Sequence, residues 1–148
     1  MFFVADRVFK NLALKQGLFI SKPLMGEILK FKLFFNKNIA FSIPLSGIWL
    51  NILISVIVIS LLLIIIYSKH YNSLNKISIF CLTLILFGAI SNLLDRFFYG
   101  AVVDYFDLQY FTIFNLADFM ISIGVIGLFI NNIKKQENSE KINKEGKH

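Results

Sequence analysis

The chain has 148 residues, enough for one domain, and 57% are hydrophobic against about 45–50% in an ordinary soluble domain; the excess lies in blocks, which marks a membrane protein. Its net charge of +6 comes from residues outside those blocks, with no basic face interleaved with exposed aromatics, so the basic residues are read against anionic lipid head groups and not nucleic acid. Cys81 is the single cysteine and His70 and His148 the two histidines, which excludes an intrachain disulfide and a cysteine or histidine metal cluster.

Met1 to Val4 are apolar but too short for a signal-peptide core, and no small-residue cleavage site follows, so no cleavable leader is predicted. Residues 5–45 carry Arg7, Lys10, Lys15, Lys22, Lys30, Lys32 and Lys37. Within them EILKFKLFF alternates in part, with Phe31, Leu33 and Phe35 on one side and Lys30 and Lys32 on the other, which predicts a short strand. Pro23 and Gly26 punctuate it, and Asn36-Lys37-Asn38 reads as a turn.

The clearest membrane span runs from Ser46 to Tyr67, inside a stretch without charge from Ile39 to Ser68; a crossing helix needs about 20 apolar residues. Its Ile and Val content suits a strand, but lipid leaves a lone strand's backbone unsatisfied, so its length decides for helix. A second span is predicted from Ile77 to Phe98, uncharged until Asp95, and a third from Tyr110 to Ile133, broken only by Asp118. SKHYNSLNK between the first two is a polar loop holding Lys69 and Lys76, and the segment 134–148 is expected to be a disordered tail. The lysine bias puts that loop and the tail in the cytoplasm. The link between the second and third spans then faces outward, and with it Asp104 and the early-helix Asp118.

A charge inside a membrane segment costs at least about 2.5 kcal/mol, so the acidic positions need a reason. Asn92, Asp95 and Arg96 share one helix face at i, i+3 and i+4, and Asn115 and Asp118 share another. Asp95 and Arg96 also fit a pair that anchors and snorkels at a helix end. The asparagines also fit helix-to-helix glue, Asp107 a solvated interface residue, and Asp104 and Asp118 helix capping. Two close carboxylates suit acid–base activation of water, because like charges in contact do not both ionise cheaply. The ionised member takes a proton from water as it attacks a peptide carbonyl, and the protonated member hydrogen-bonds the carbonyl oxygen.

The blocks NLLDRFFYGAVVDYF and FNLADFMISIG resemble signal peptidase II, the bacterial lipoprotein signal peptidase family. Asn92, Asp95, Arg96, Gly100, Val102 and Asp104 match its N-x-x-D-R-x-x-x-G-x-V-x-D-F block, with Tyr105 where phenylalanine is usual. Phe114, Asn115, Ala117 and Asp118 match F-N-x-A-D. Upstream, Asp6 and Lys10 resemble a D-x-x-x-K element, and Asn36, Ala40 and Phe41 resemble N-x-G-x-A-F, with Asn38 where glycine is expected. The resemblance covers about residues 5–131.

It implies an all-α multi-pass bundle of four transmembrane helices with a small extracytoplasmic β-cradle. Here the first helix is a remnant over 1–16, because five residues precede Asp6, and the β-element spans 17–45. It implies Asp104 and Asp118 as the catalytic pair of an aspartic endopeptidase. Asn92 and Asn115 would support them, Asp95 and Arg96 would hold the network, and Asp6, Lys10 and Asn36 would brace the substrate side beside Phe114 and Ala117. The implied substrate is a prolipoprotein with diacylglycerol on its lipobox cysteine, cut before that cysteine. The implied location is the bacterial inner membrane, among membrane lipids, as a monomer without cofactor or metal. A carboxylate-lined transporter or proton relay, and an inactive truncated homologue, are the other readings.

Overall fold

A computed structural model describes residues 1–17, 20–37 and 47–145, with side chains as far as Asn138. In chain order the elements are α1 (Phe2–Gln16), β1 (Ser21–Met25), β2 (Leu29–Asn36), α2 (Ile48–Tyr71), α3 (Lys76–Tyr99), β3 (Val102–Leu108), β4 (Thr112–Phe114) and α4 (Leu116–Glu145). Three of the helices, over Ile48–Tyr71, Lys76–Tyr99 and Leu116–Asn138, are long and apolar enough to cross a membrane. Most large apolar side chains of α2 are exposed, as expected where lipid is the solvent.

Helix boundaries differ from the hydropathy reading in three places. Helix α2 runs through Lys69 and His70 to Tyr71 and ends on Asn72 in the left-handed conformation, so most of the expected loop is helix. Apolar content marks contact with lipid, whereas helical backbone stops only at a cap. Asn75 then caps α3, its side chain accepting from Ser78 N at 2.8 Å. Helix α4 begins at Leu116 and not Tyr110, because Thr112–Phe114 pair with β3. It continues to Glu145, into the segment expected as a disordered tail; that segment is rich in lysine and glutamate, which sustain helix once it has started.

Helix α3 is the hub of the bundle and packs most extensively on α4. Glycines permit the approach: a Cβ at Gly88 would lie 2.6 Å from the Ala117 carbonyl oxygen, and one at Gly124 2.7 Å from that of Cys81. At the Asn75 end, the Asn131 amide donates to Asn75 Oδ1 (3.2 Å) and Ser78 Oγ (2.9 Å).

The other end carries an antiparallel sheet of order β1-β2-β3-β4. Half of it comes from the link between α3 and α4, where VVDYFDL is rich in β-branched and aromatic residues. Pro23 lies within β1, opposite Lys30, on an edge strand where its missing N–H costs nothing. The alternation expected in β2 is interrupted. The register runs from Phe31↔Phe106 to Phe34↔Asp104, three residues against two, so β2 carries a bulge. The extra residue shifts the phase of the rest of the strand, and Phe34 and Asn36 come to the face that bears Asp104. Leu33, Val103, Tyr105 and Ala13 of α1 form the small core beneath the sheet.

Candidate active site

Elements of both layers converge where the sheet meets the bundle. Helix α1 brings Asp6 and Lys10, one turn apart on its buried face. Helix α3 brings Ser91, Asn92, Asp95 and Arg96, β3 brings Asp104 and Tyr105, and the start of α4 brings Asn115 to Asp118.

Asn115 links the two candidate carboxylates. Its Nδ2 donates to Asp104 Oδ1 at 2.6 Å and to Asn92 Oδ1 at 3.1 Å, while its Oδ1 accepts from Asp118 N at 2.9 Å. Asn92 Nδ2 donates to Asp118 Oδ1 at 2.8 Å. Asn36 Nδ2, delivered by the β2 bulge, donates to Asp104 Oδ2 at 3.1 Å. Asp118 Oδ2 accepts from Asn115 N at 3.4 Å, so residues 115 and 118 form a reciprocal capping box at the start of α4. The capping reading of Asp118 therefore holds, but it occupies one oxygen; the other belongs to the amide bridge.

Asp104 is buried at 1% exposure, and Asp118 is half-buried. Burial first, and the nearby Asp118 charge second, push Asp104 up to about 7, against the opposing pull of Asn36, Asn115 and Lys10. Like charges this close do not both ionise cheaply. Asp118 borders two cavities. One, of about 570 Å³, lies among α2, α3 and α4, with Asn36, Asn92 and Arg96 at its polar end and Ile54, Ile57, Ile85 and Val125 among its apolar walls. The other, of about 260 Å³, lies between the β3–β4 hairpin and α4 and is lined by Phe111, Phe114 and Phe119.

Behind the amides lies a buried ion cluster. Lys10 Nζ sits 2.7 Å from Asp95 Oδ2 and 3.0 Å from Asp6 Oδ2, and Arg7 pairs with Asp95 Oδ1. Asp95 and Asp6 are both fully buried, so Asp95 is not the snorkelling anchor that its place near a helix end suggested. Asp95 Oδ2 accepts from Val103 N at 3.1 Å, and Asp6 Oδ1 from Ala117 N at 3.1 Å and the Tyr105 hydroxyl at 2.9 Å. That hydroxyl also accepts from Leu116 N at 3.0 Å. Burial and the Asp6 charge push the Tyr105 phenol well above its usual range, which keeps it a donor.

Every sequence-predicted site residue with described coordinates lies in or beside this assembly, Phe114 as a wall of the smaller cavity. Ala40 and Phe41, with Asn38, lie outside the described residues. Arg7, Ser91 and Tyr105 were not singled out as site residues. The available signals were Arg7 beside Asp6 and Ser91 one turn before Asp95, together with a phenol in place of the usual phenylalanine. Among the described residues no cluster of metal-ligating side chains occurs.

Comparison with known proteins places the chain beside one family. A family profile described as signal peptidase (SPase) II matches residues 1–134. The chain is 40% identical over 126 residues to a lipoprotein signal peptidase of Caldicellulosiruptor bescii, covering 84% of this chain and 80% of that one. It is 35% identical over 126 residues to one of Halothermothrix orenii, covering 84% and 85%. Among solved structures, a bacterial membrane enzyme determined by the in meso method aligns at TM-score 0.80 and 28% identity, covering 93% of this chain and 85% of that chain. A second gives 0.74 at 28% identity, covering 90% and 88%.

Proposed function

Because this chain belongs to the signal peptidase II family, we propose that it is a membrane-embedded endopeptidase that removes signal peptides from lipoprotein precursors with Asp104 and Asp118 as its catalytic pair. The observation that carries this reading is the amide bridge: Asn115 and Asn92 hold both carboxylates at one end of the bundle, beside an apolar cavity. A proton relay would spread its carboxylates through the depth of the bilayer, whereas these two sit together.

The ionised member of the pair takes a proton from a water molecule, which attacks the scissile carbonyl. The protonated member hydrogen-bonds the carbonyl oxygen and then passes a proton to the leaving amine. Asn36, Asn92 and Asn115 orient the carboxylates without adding charge. Burial of Asp104 and its closeness to Asp118 keep one proton on the pair at neutral pH. The substrate is a prolipoprotein carrying diacylglycerol on its lipobox cysteine, cut just before that residue. Its acyl chains and signal helix suit the isoleucine-rich cavity, which a lipid-borne substrate enters from the side. By the lysine bias of the 69–76 loop and the segment after Lys134, the site faces the extracytoplasmic side of the inner membrane, and the chain acts as a monomer.

The test is conversion of a diacylglyceryl-modified prolipoprotein, followed by gel shift with the full chain in membranes. Asp104→Asn and Asp118→Asn are each expected to abolish conversion. Intact cleavage by both variants would refute the paired-aspartate mechanism.

A further inference from the structure

Asp6 and Asp95 occupy equivalent places relative to the two candidate catalytic residues. Asp95 Oδ2 accepts the backbone N–H of Val103, the residue just before Asp104. Asp6 Oδ1 accepts the backbone N–H of Ala117, the residue just before Asp118. Each carboxylate therefore fixes the main chain one residue from a candidate catalytic side chain. The two supports lie on different helices, α1 and α3, and hold different elements, β3 and α4.

One group joins them. The Lys10 ammonium lies 3.0 Å from Asp6 Oδ2 and 2.7 Å from Asp95 Oδ2. It also donates to Asn92 Oδ1 at 3.0 Å, and Ser91 Oγ lies 3.4 Å away. The Asn92 contact matters for orientation. With its oxygen turned to Lys10 and to Asn115, the amide must present its NH2 to Asp118. Lys10 is fully buried, and a buried ammonium keeps its charge only where such partners surround it.

We propose that Lys10 is a positioning residue that sets the separation between Asp104 and Asp118, because its ammonium ties together the two carboxylates that hold the backbone before each. It hydrogen-bonds neither catalytic carboxyl, and its charge reaches Asp104 only at a distance. Three routes run from it: through Asp95 to β3, through Asp6 to the first turn of α4, and through Asn92 to the Asp118 side chain. The inference rests on the paired-aspartate reading above. An error of about 1 Å in the placement of reacting groups costs about 100-fold in rate, so a loosened tie shows in turnover first.

The discriminating variant is Asp6→Asn combined with Lys10→Met. It removes one cation and one anion, so the cluster's charge balance is unchanged. The amide oxygen at position 6 still accepts from Ala117 N and Tyr105, its NH2 donates to Ser91 Oγ, and Asp95 keeps Arg7 and Val103 N. What is lost is the ammonium, with its ties to Asp6, Asp95, Asn92 Oδ1 and Ser91 Oγ. With the full chain in detergent and a lipidated peptide substrate, the expected result is a monodisperse protein whose kcat falls about 100-fold with KM within threefold of wild type. Lys10→Met alone is expected to be at least as severe.

A kcat within threefold of wild type in the double variant overturns the inference. So does a loss that only tracks the fraction of protein that folds, which would make Lys10 structural. Asp104→Asn measured alongside separates the two levels of argument. If it is inactive, an unaffected double variant counts against Lys10 alone. If it is active, the paired-aspartate reading fails, and the role of Lys10 fails with it.

Discussion

Replacing Asn115 with serine separates the two tasks this residue performs. Its oxygen caps α4 by accepting from Asp118 N at 2.9 Å, and its NH2 donates to Asp104 Oδ1 at 2.6 Å. Serine caps helices about as well as asparagine, so Asn115→Ser keeps the first task and, one atom shorter and without an NH2, loses the second. A hydrogen bond to a charged group contributes about 1.5–3 kcal/mol, which at about 1.4 kcal/mol per decade corresponds to a fall in kcat of about 10- to 150-fold. The same bond lowers the Asp104 pKa, so its loss moves the alkaline limb of the kcat profile to higher pH. The assay is turnover of a lipidated fluorogenic peptide across pH, with thermal unfolding in detergent as the control for the cap. A folded Asn115→Ser variant with kcat within threefold of wild type and an unmoved alkaline limb would refute the assignment of Asn115 as the bridge.

Three further outcomes are expected. Because Asp104 titrates at about 7 and the pair works with one proton, kcat falls above pH 7, approaching tenfold per pH unit; a flat profile to pH 9 contradicts this. The native state binds the Asp104 proton more tightly than the unfolded chain does, so this group's contribution to stability falls as pH rises from about 4 through about 7. Asp104→Asn, a neutral mimic of the protonated acid, is therefore inactive yet more heat-stable than wild type at pH 8, and the difference narrows toward pH 4. Gly88→Ala places a methyl 2.6 Å from the Ala117 carbonyl oxygen and forces the first turn of α4 off α3. Overpacking of this kind costs about 1–3 kcal/mol, and turnover falls with the melting temperature because the Asn92–Asp118 bond spans the same contact.

Much of this architecture is legible in the chain because lipid imposes a local rule. A charge-free run such as ISVIVISLLLIII can only cross as helix, so the three spans follow from composition and length alone. The same rule singled out Asp104 and Asp118, since carboxylates beside such runs are costly unless used. The two motif blocks around Asn92–Asp104 and Phe114–Asp118 then tied them to one family. The ends of the spans were less legible, because Lys69 and residues 134–145 continue the helical backbone beyond the apolar runs.

What the sequence could not disclose is every feature that depends on partners far along the chain. Asp6 finds Tyr105 and Ala117 across 99 and 111 residues, and Lys10 meets Asn92 across 82; read locally, they are part of a basic N-terminal segment. A single extra residue in β2 decides which face Asn36 presents, and only the pairing with β3 reveals it. Asp95 looks like a helix-end anchor until Arg7 and Lys10 fold over it. Hydropathy reports how each residue meets its solvent, which is local; the geometry of a buried ion cluster and the register of a sheet are set by closure of long loops, and only the tertiary structure decides them.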